Sequence, residues 1–299
     1  MMRGIRQLKI LLVSLALVSS VSNASAEDFV TPDILILGDS QITFGSGPAF
    51  LEFFTDIRKH CAVTPRHEMY VDRLGEMRVG VIGVRSTSLH SWTARSGKSK
   101  DSVCKVDPKW KVNAGTYGYL NKTDNKFVQI GQGREYQFCE PDKSPFEAMF
   151  RDNYYSPKLF LMSFLGNSAR RWAESKEKAK EDVARAMSQI PEDIPCIFMT
   201  TAPAYSKKIV DLRLKAQKNL MEAFEETGSR CTFVPGATPE TVAANQGNKE
   251  FFRLNKNGMV KDPFHPNQHA AKNFFALEMD NICSAVLEQI STLDIPLSQ

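Results

Sequence analysis

Ile34-Leu35-Ile36-Leu37-Gly38-Asp39-Ser40 is the stretch on which the fold turns. Four consecutive apolar residues bury both faces of a strand, which is the signature of a parallel sheet. The Gly-Asp-Ser that follows is turn chemistry, so the chain leaves the sheet at a tight bend. Outward from this point the same kind of run recurs. Met77 to Val84, Lys158 to Phe164, Cys196 to Thr200 and Arg230 to Val234 read as four further strands. Apolar residues at helical spacing fill Pro48 to Lys59, Ala169 to Gln189, Ile209 to Glu226 and Asn267 to Ile290, with Gly228 placed to cap the third of these. Strands alternating with helices predict a three-layer α/β/α domain around a mostly parallel five-stranded sheet. Such a sheet holds its ligand beyond the carboxyl ends of its strands. That rule directs attention to Ser40, to the residues after Val84, and to Asn167.

The chain has 299 residues, 42% hydrophobic and 24% charged, which excludes collagen-like, low-complexity and wholly disordered classes. Residues 1–26 read as a secretory signal peptide. Arg3, Arg6 and Lys9 form its basic start, Ile10 to Val18 its apolar stretch, and Ala24-Ser25-Ala26 its cleavage site. The apolar run is well short of the roughly 20 residues that span a bilayer. Residues 27–299 are then expected as a single exported domain, periplasmic or secreted. Removing three basic residues from a net charge of +4 leaves +1. A nearly neutral chain does not point to nucleic acid as a partner. No other segment is long and apolar enough to span a membrane.

All six cysteines, Cys61, Cys104, Cys139, Cys196, Cys231 and Cys283, lie beyond the signal peptide, and an even count in an oxidising compartment favours disulfides. No CxxC pair is present, so zinc-ribbon and thioredoxin-like readings fall away. Six cysteines allow 15 connectivities. If the fourth and fifth strands are neighbours, Cys196 and Cys231 meet at the sheet edge opposite the candidate site. Cys104 and Cys139 would then close an insertion at about residues 90–145, leaving Cys61 with Cys283. That insertion is polar, rich in Lys, Gly, Tyr and Trp, and breaks the strand–helix alternation. Its Trp92, Trp110, Tyr117 and Tyr119 suit either a sugar-stacking rim or a satellite core. Arg85 is a candidate for an anionic substituent of the substrate. Gly131-Gln132-Gly133 lacks the strand–helix setting of a dinucleotide loop.

The sharpest local motif is Asp262-Pro263-Phe264-His265-Pro266-Asn267, a carboxylate three residues before a histidine and just ahead of the last helix. An Asp so placed can bond the imidazole, fix its tautomer and stabilise the imidazolium. Helix capping is the plainer role for the same residues. Ser40, at the end of the first strand, can serve as a nucleophile or merely cap a turn. The G-x-S-x-G elbow of α/β-hydrolases is absent. His265 and His269 share a helical spacing, but no HExxH carboxylate accompanies them, so no metal is expected.

Taken in order, Gly38-Asp39-Ser40, Gly166-Asn167 and Asp262-x-x-His265-Pro266 resemble the spaced blocks of the SGNH (GDSL) hydrolase family over roughly residues 33–290. The resemblance implies a flavodoxin-like SGNH fold, with Ser40 as nucleophile, His265 as general base and then acid, and Asp262 as its orienting partner. It implies an oxyanion hole from the N–H groups of Ser40 and Ser86 and the Asn167 side chain. Ser86 stands where the family has its second Gly, and Ser168 where it has Asp. An exported esterase removing acetyl or succinyl groups from an envelope or extracellular carbohydrate is the expectation, without metal or organic cofactor. An acyltransferase decorating a periplasmic glucan or exopolysaccharide, and a catalytically inactive glycan-binding protein, are the alternatives. Arg85, Trp92 and Tyr117 are the substrate-binding candidates.

Overall fold

In the computed structural model, which describes residues 32–75, 78–104, 115–121, 126–128 and 138–293, the apolar runs become the centre of a sheet. In chain order the strands are β1 (Ile34–Gly38), β2 (Arg78–Val84), β3 (Gly115–Asn121), β4 (Lys126–Val128), β5 (Leu159–Ser163), β6 (Cys196–Met199), β7 (Thr232–Val234), β8 (Phe252–Leu254) and β9 (Val260–Pro266). The main sheet runs β4-β3-β2-β1-β5-β6-β7. Its five strands β2-β1-β5-β6-β7 are all parallel. The expected three-layer α/β/α architecture is therefore present. The insertion adds β3 and β4 as an antiparallel extension beside β2. The signal-peptide segment, Trp110 and Gly131 to Gly133 lie outside the described residues, as do the side chains of β3 and β4.

The topology itself locates a site. The chain steps from β1 to β2 on one side, then crosses to β5 on the other, so β1 and β5 straddle the reversal where open α/β sheets bind ligands. Register places Gly38, Gly83, Ser163, Met199 and Val234 in one row at the carboxyl ends. Ser40, Ser86 and Asn167 all leave the sheet just beyond that row. Beneath it, every residue of β1 and β5 is buried. Phe50, Phe53, Phe54, Phe274 and Phe275 pack one face of the sheet in the main core.

Three helices of the sequence reading are broken. The shortest, Pro48 to Lys59, divides into Gly47–Thr55 and Ile57–His60, where Asp56 leaves the helical conformation. The segment Ala169 to Gln189 divides into Ala169–Glu174 and Lys176–Met187, because Ser175 leaves the helical conformation and its hydroxyl caps the second by accepting from Lys178 N–H. The C-terminal helix divides into Gln268–Leu277 and Met279–Ile290 at buried Glu278, which accepts hydrogen bonds from Thr238 and Asn281. Helical period ran through these breaks, so it gave no warning. The helix Lys207–Glu226 is unbroken, and Gly228 follows at φ +60, the left-handed conformation of a C-terminal cap. No described helix is long and apolar enough to cross a membrane.

The three disulfides are Cys61–Cys283, Cys104–Cys139 and Cys196–Cys231, with Cα separations of 5.4, 5.5 and 4.6 Å. These are the pairings expected from strand adjacency and closure of the insertion. Cys196 opens β6 and Cys231 immediately precedes β7, which are hydrogen-bonded neighbours. The Cys196–Cys231 bridge thus ties the sheet at the end away from Ser40.

Candidate active site

Ser40 begins the helical turn after β1, and Asp39 builds that turn. One Asp39 carboxylate oxygen accepts from Gln41 N–H at 2.8 Å. Burial raises the Asp39 pKa; the Gln41 N–H and the positive charge of Arg213 oppose it. A π-helical segment, Ile42–Ser46, continues the turn. Gly45 lies in it where an added Cβ would sit 2.3 Å from the Pro266 carbonyl oxygen. Absence of a side chain there lets the Ser40 segment lie directly against the strand that carries His265.

That strand is β9. It pairs with β8 as a two-stranded hairpin outside the main sheet, with register irregularities on both sides of Arg253. Asp262 and His265 stand just ahead of the helix Gln268–Leu277, as expected, and the segment that carries them is a strand. His265 Nδ1 lies 2.8 and 3.0 Å from the two Asp262 carboxylate oxygens, and His265 Nε2 lies 2.8 Å from Ser40 Oγ. With the proton on Nδ1 donated to Asp262, Nε2 is left to accept from the Ser40 hydroxyl. Asp262 also accepts from the N–H groups of Phe264 and His265, at 3.1 and 3.2 Å. Burial works against the Asp262 charge, yet the His265 ring and these N–H groups hold its carboxyl below the usual carboxylate range.

The hairpin is pinned in place by a residue that the sequence reading passed over. Arg213, buried in the helix Lys207–Glu226, donates to the carbonyls of Ala202 at 3.3 Å and Phe264 at 3.2 Å. Gln41 Nε2 donates to the same Phe264 carbonyl at 2.6 Å. One backbone oxygen next to His265 is thereby fixed from the Ser40 turn and from a helix. Burial lowers the Arg213 pKa to about 10, against the charges of Asp39 and Asp262, so it stays cationic at neutral pH. A signal for it existed. Val210, Arg213, Gln217, Leu220 and Phe224 share the buried stripe of that helix, and a cation on an apolar stripe needs a partner inside.

Ser86 and Asn167 reach the same end of the sheet, and both are exposed. Ser86 has φ +62, the conformation that Gly adopts freely, so the backbone keeps the glycine geometry with a serine in place. The Asn167 amide donates to the Thr87 carbonyl at 2.8 Å, which joins the loops after β2 and β5. An amide has a second N–H beyond the one so used. Behind these loops, Asp182 accepts from Trp172 Nε1 at 3.0 Å and Arg171 Nε at 3.0 Å, and lies 3.2 Å from His90 Nδ1.

The substrate-binding candidates fare differently. Trp92 is fully buried against Phe138 and Phe146, with its indole N–H donated to Thr87 Oγ1. It belongs to a core that reaches β5 through Phe146 and Phe160, and forms no rim. Tyr117 pairs with Ile82 in β3, and its side chain is outside the described residues. Arg85 is half-buried at the end of β2, just before Ser86. His269 lies edge-on to Phe251 rather than beside His265's partners. Among the described residues no group of three or more His, Cys, Asp or Glu is placed to hold a metal ion.

No family model matches the chain, and no curated protein does. Among solved structures, a DUF4886 family protein from Bacteroides uniformis is 13% identical, with a TM-score of 0.42, covering 90% of this chain and 88% of that one. An active-site mutant of a family two carbohydrate esterase from Clostridium thermocellum is 12% identical, with a TM-score of 0.39, covering 85% of this chain and 63% of that one. A peptidoglycan O-acetylesterase is 11% identical, with a TM-score of 0.39, covering 86% and 92%. Likeness at this level carries no chemistry across, so the function rests on the site's own geometry.

Proposed function

We propose that the protein is an SGNH-type serine esterase that removes O-acyl groups, acetyl or succinyl, from a carbohydrate of the envelope or extracellular space. The observation that carries this reading is the hydrogen-bonded chain from Ser40 Oγ through the His265 ring to Asp262. In it the base has one nitrogen on the nucleophile and the other on a carboxylate, the arrangement that activates a hydroxyl. Ser40 Oγ attacks the ester carbonyl as its proton passes to His265 Nε2. The carbonyl oxygen gains the charge, and the N–H groups of Ser40 and Ser86 with the free N–H of the Asn167 amide are its donors. Collapse expels the sugar oxygen, which takes the proton from His265. Water then attacks the acyl-serine by the same route and releases the acid.

The exposure of Ser86 and Asn167 around a half-buried His265 suits a substituent on a polymer better than an enclosed small molecule. Three disulfides suit an oxidising compartment, in keeping with export after residue 26 as one domain of residues 27–299. The test is a screen of O-acetylated and O-succinylated glycans with an added acceptor sugar, read by mass spectrometry. Free acid, lost in Ser40→Ala, is the expected product. Acyl groups appearing on the acceptor would make the protein an acyltransferase. Neither product from any acylated glycan would contradict the reading.

A further inference from the structure

The hairpin that carries Asp262 and His265 has two unlike faces. Inward, Phe252 packs with Phe251 and Ala270, and the Tyr205 ring meets Phe252 edge-on at 5.4 Å. Outward, Leu254, Met259 and Phe264 are 42, 56 and 49% exposed. Among them stand the exposed cations Arg253, Lys256 and Lys261, with Lys249 just upstream. None of these four has a carboxylate within ion-pair distance among the described residues, unlike Lys176, Lys180, Lys207 and Lys272, though exposed Lys208, Lys215 and Lys218 on the helix Lys207–Glu226 are also without one. The turn between the strands is held by Asn255, whose side chain accepts from the N–H groups of Asn257 and Met259. Four exposed cations without ion-pair partners thus stand on or next to the element that supplies the candidate base, in a chain whose net charge is +4.

We propose that this hairpin is the docking arm for an acidic glycan, a chain of sugars bearing carboxylates. The proposal deepens the esterase reading by naming the class of its substrate, and rests on that reading only for what happens after docking. Lys261 directly precedes Asp262 and Phe264 directly precedes His265. A sugar chain lying along the outer face would meet ammonium and guanidinium groups for its carboxylates. It would meet an aromatic face for a pyranose ring at the step next to the imidazole. The positive potential raises the local concentration of a polyanion, an effect that salt screens. An anionic membrane surface would meet the same charges, but would have no need of them beside the base.

Binding separates this inference from catalysis. The Ser40→Ala protein is run through native gels containing polygalacturonate, alginate or neutral dextran. Retardation by an acidic polymer alone, weakening as NaCl rises, is the expected result. Adding Arg253→Gln, Lys256→Gln and Lys261→Gln should weaken it about tenfold, since each exposed pairing contributes little alone. The same triple change in the active protein should leave hydrolysis of 4-nitrophenyl acetate unaltered. Retardation with no esterase activity in the native protein would uphold docking and sink the esterase reading. Absence of retardation, equal retardation by dextran, or indifference to the triple change would overturn the proposal. So would capture by phosphatidylglycerol vesicles in place of the acidic polymers.

Discussion

Two histidine–aspartate pairs in this molecule invite comparison. His265 and Asp262 stand three residues apart on an exposed hairpin; His90 and Asp182 are 92 residues apart, with Asp182 wholly buried. In the first pair Nδ1 faces one carboxylate, so the tautomer is fixed and Nε2 is left for Ser40 Oγ. In the second, Nδ1 lies 3.2 Å from Asp182 and 2.7 Å from Arg185 Nη1. One ring nitrogen cannot donate to a carboxylate and accept from a guanidinium at once, so no single tautomer is selected. Asp182 is also committed to Arg171 and Trp172, and those contacts, with that of His90, hold its pKa below the usual range against the effect of burial. A His–Asp pair becomes machinery when its second nitrogen is aimed at a nucleophile. Otherwise it is a tie, here between the elements that follow β2 and β5.

The largest effects should separate the two pairs. Ser40→Ala and His265→Ala should each cost on the order of 10⁴-fold in kcat, with the double variant little worse than either, because the two act as one unit. Asp262→Ala should cost somewhat less, since it orients and stabilises the imidazole. Urea denaturation should show little loss of stability in Ser40→Ala, and in Asp262→Ala only the part that its lowered carboxyl pKa contributes. Asn167→Ala should lower kcat by about 10²–10³-fold with KM little changed, the usual cost of one oxyanion donor. A change confined to KM would remove Asn167 from that role.

Asp182→Ala should do the reverse of Asp262→Ala. It leaves Trp172 Nε1 and the Arg171 guanidinium without their buried acceptor, so unfolding free energy should fall by about 3 kcal/mol. Its kcat, measured on folded protein, should stay within about tenfold, since Asp182 touches none of the reacting groups. Equal losses of kcat from Asp182→Ala and Asp262→Ala would erase the distinction between machinery and tie.

Acid titration sharpens the comparison further. A carboxyl held below its unfolded pKa contributes stability above the ordinary carboxylate range, and that contribution disappears as pH falls through the folded pKa. The stability gap between the native protein and Asp262→Asn should therefore narrow between about pH 6 and about pH 3. A constant gap would contradict the charge assigned to Asp262. The smallest change expected is from Ser86→Gly. It relieves a left-handed non-glycine residue and should stabilise by up to about 1 kcal/mol while retaining turnover. A loss of stability would show that the serine side chain contributes more than the strain costs.

The sheet was legible because β1 and β5 are continuous apolar runs, a pattern that short elements share with little else. Cys196 and Cys231 were legible from strand adjacency alone. The hairpin of β8 and β9 was not, since Pro263 interrupts it, its register slips twice, and its residues do not alternate. Asp262 and His265 are therefore legible by motif, while the strand that carries them is not. Arg213 and Asp182 escaped notice among the many charges of their helices, although both fall on buried stripes. Trp92 carried no signal to separate a rim from a core; its burial against Phe138 and Phe146 depends on contacts that residue composition does not encode.

The central claim is that Ser40 is a nucleophile activated by His265. A fluorophosphonate probe, followed by peptide mass spectrometry of the purified protein, tests it without knowledge of the substrate. The account predicts one phosphonyl group per chain, on Ser40, with labelling slowed at least a hundredfold in folded His265→Ala and unchanged in His269→Ala. Absence of label on Ser40, or labelling at an equal rate without His265, would contradict it.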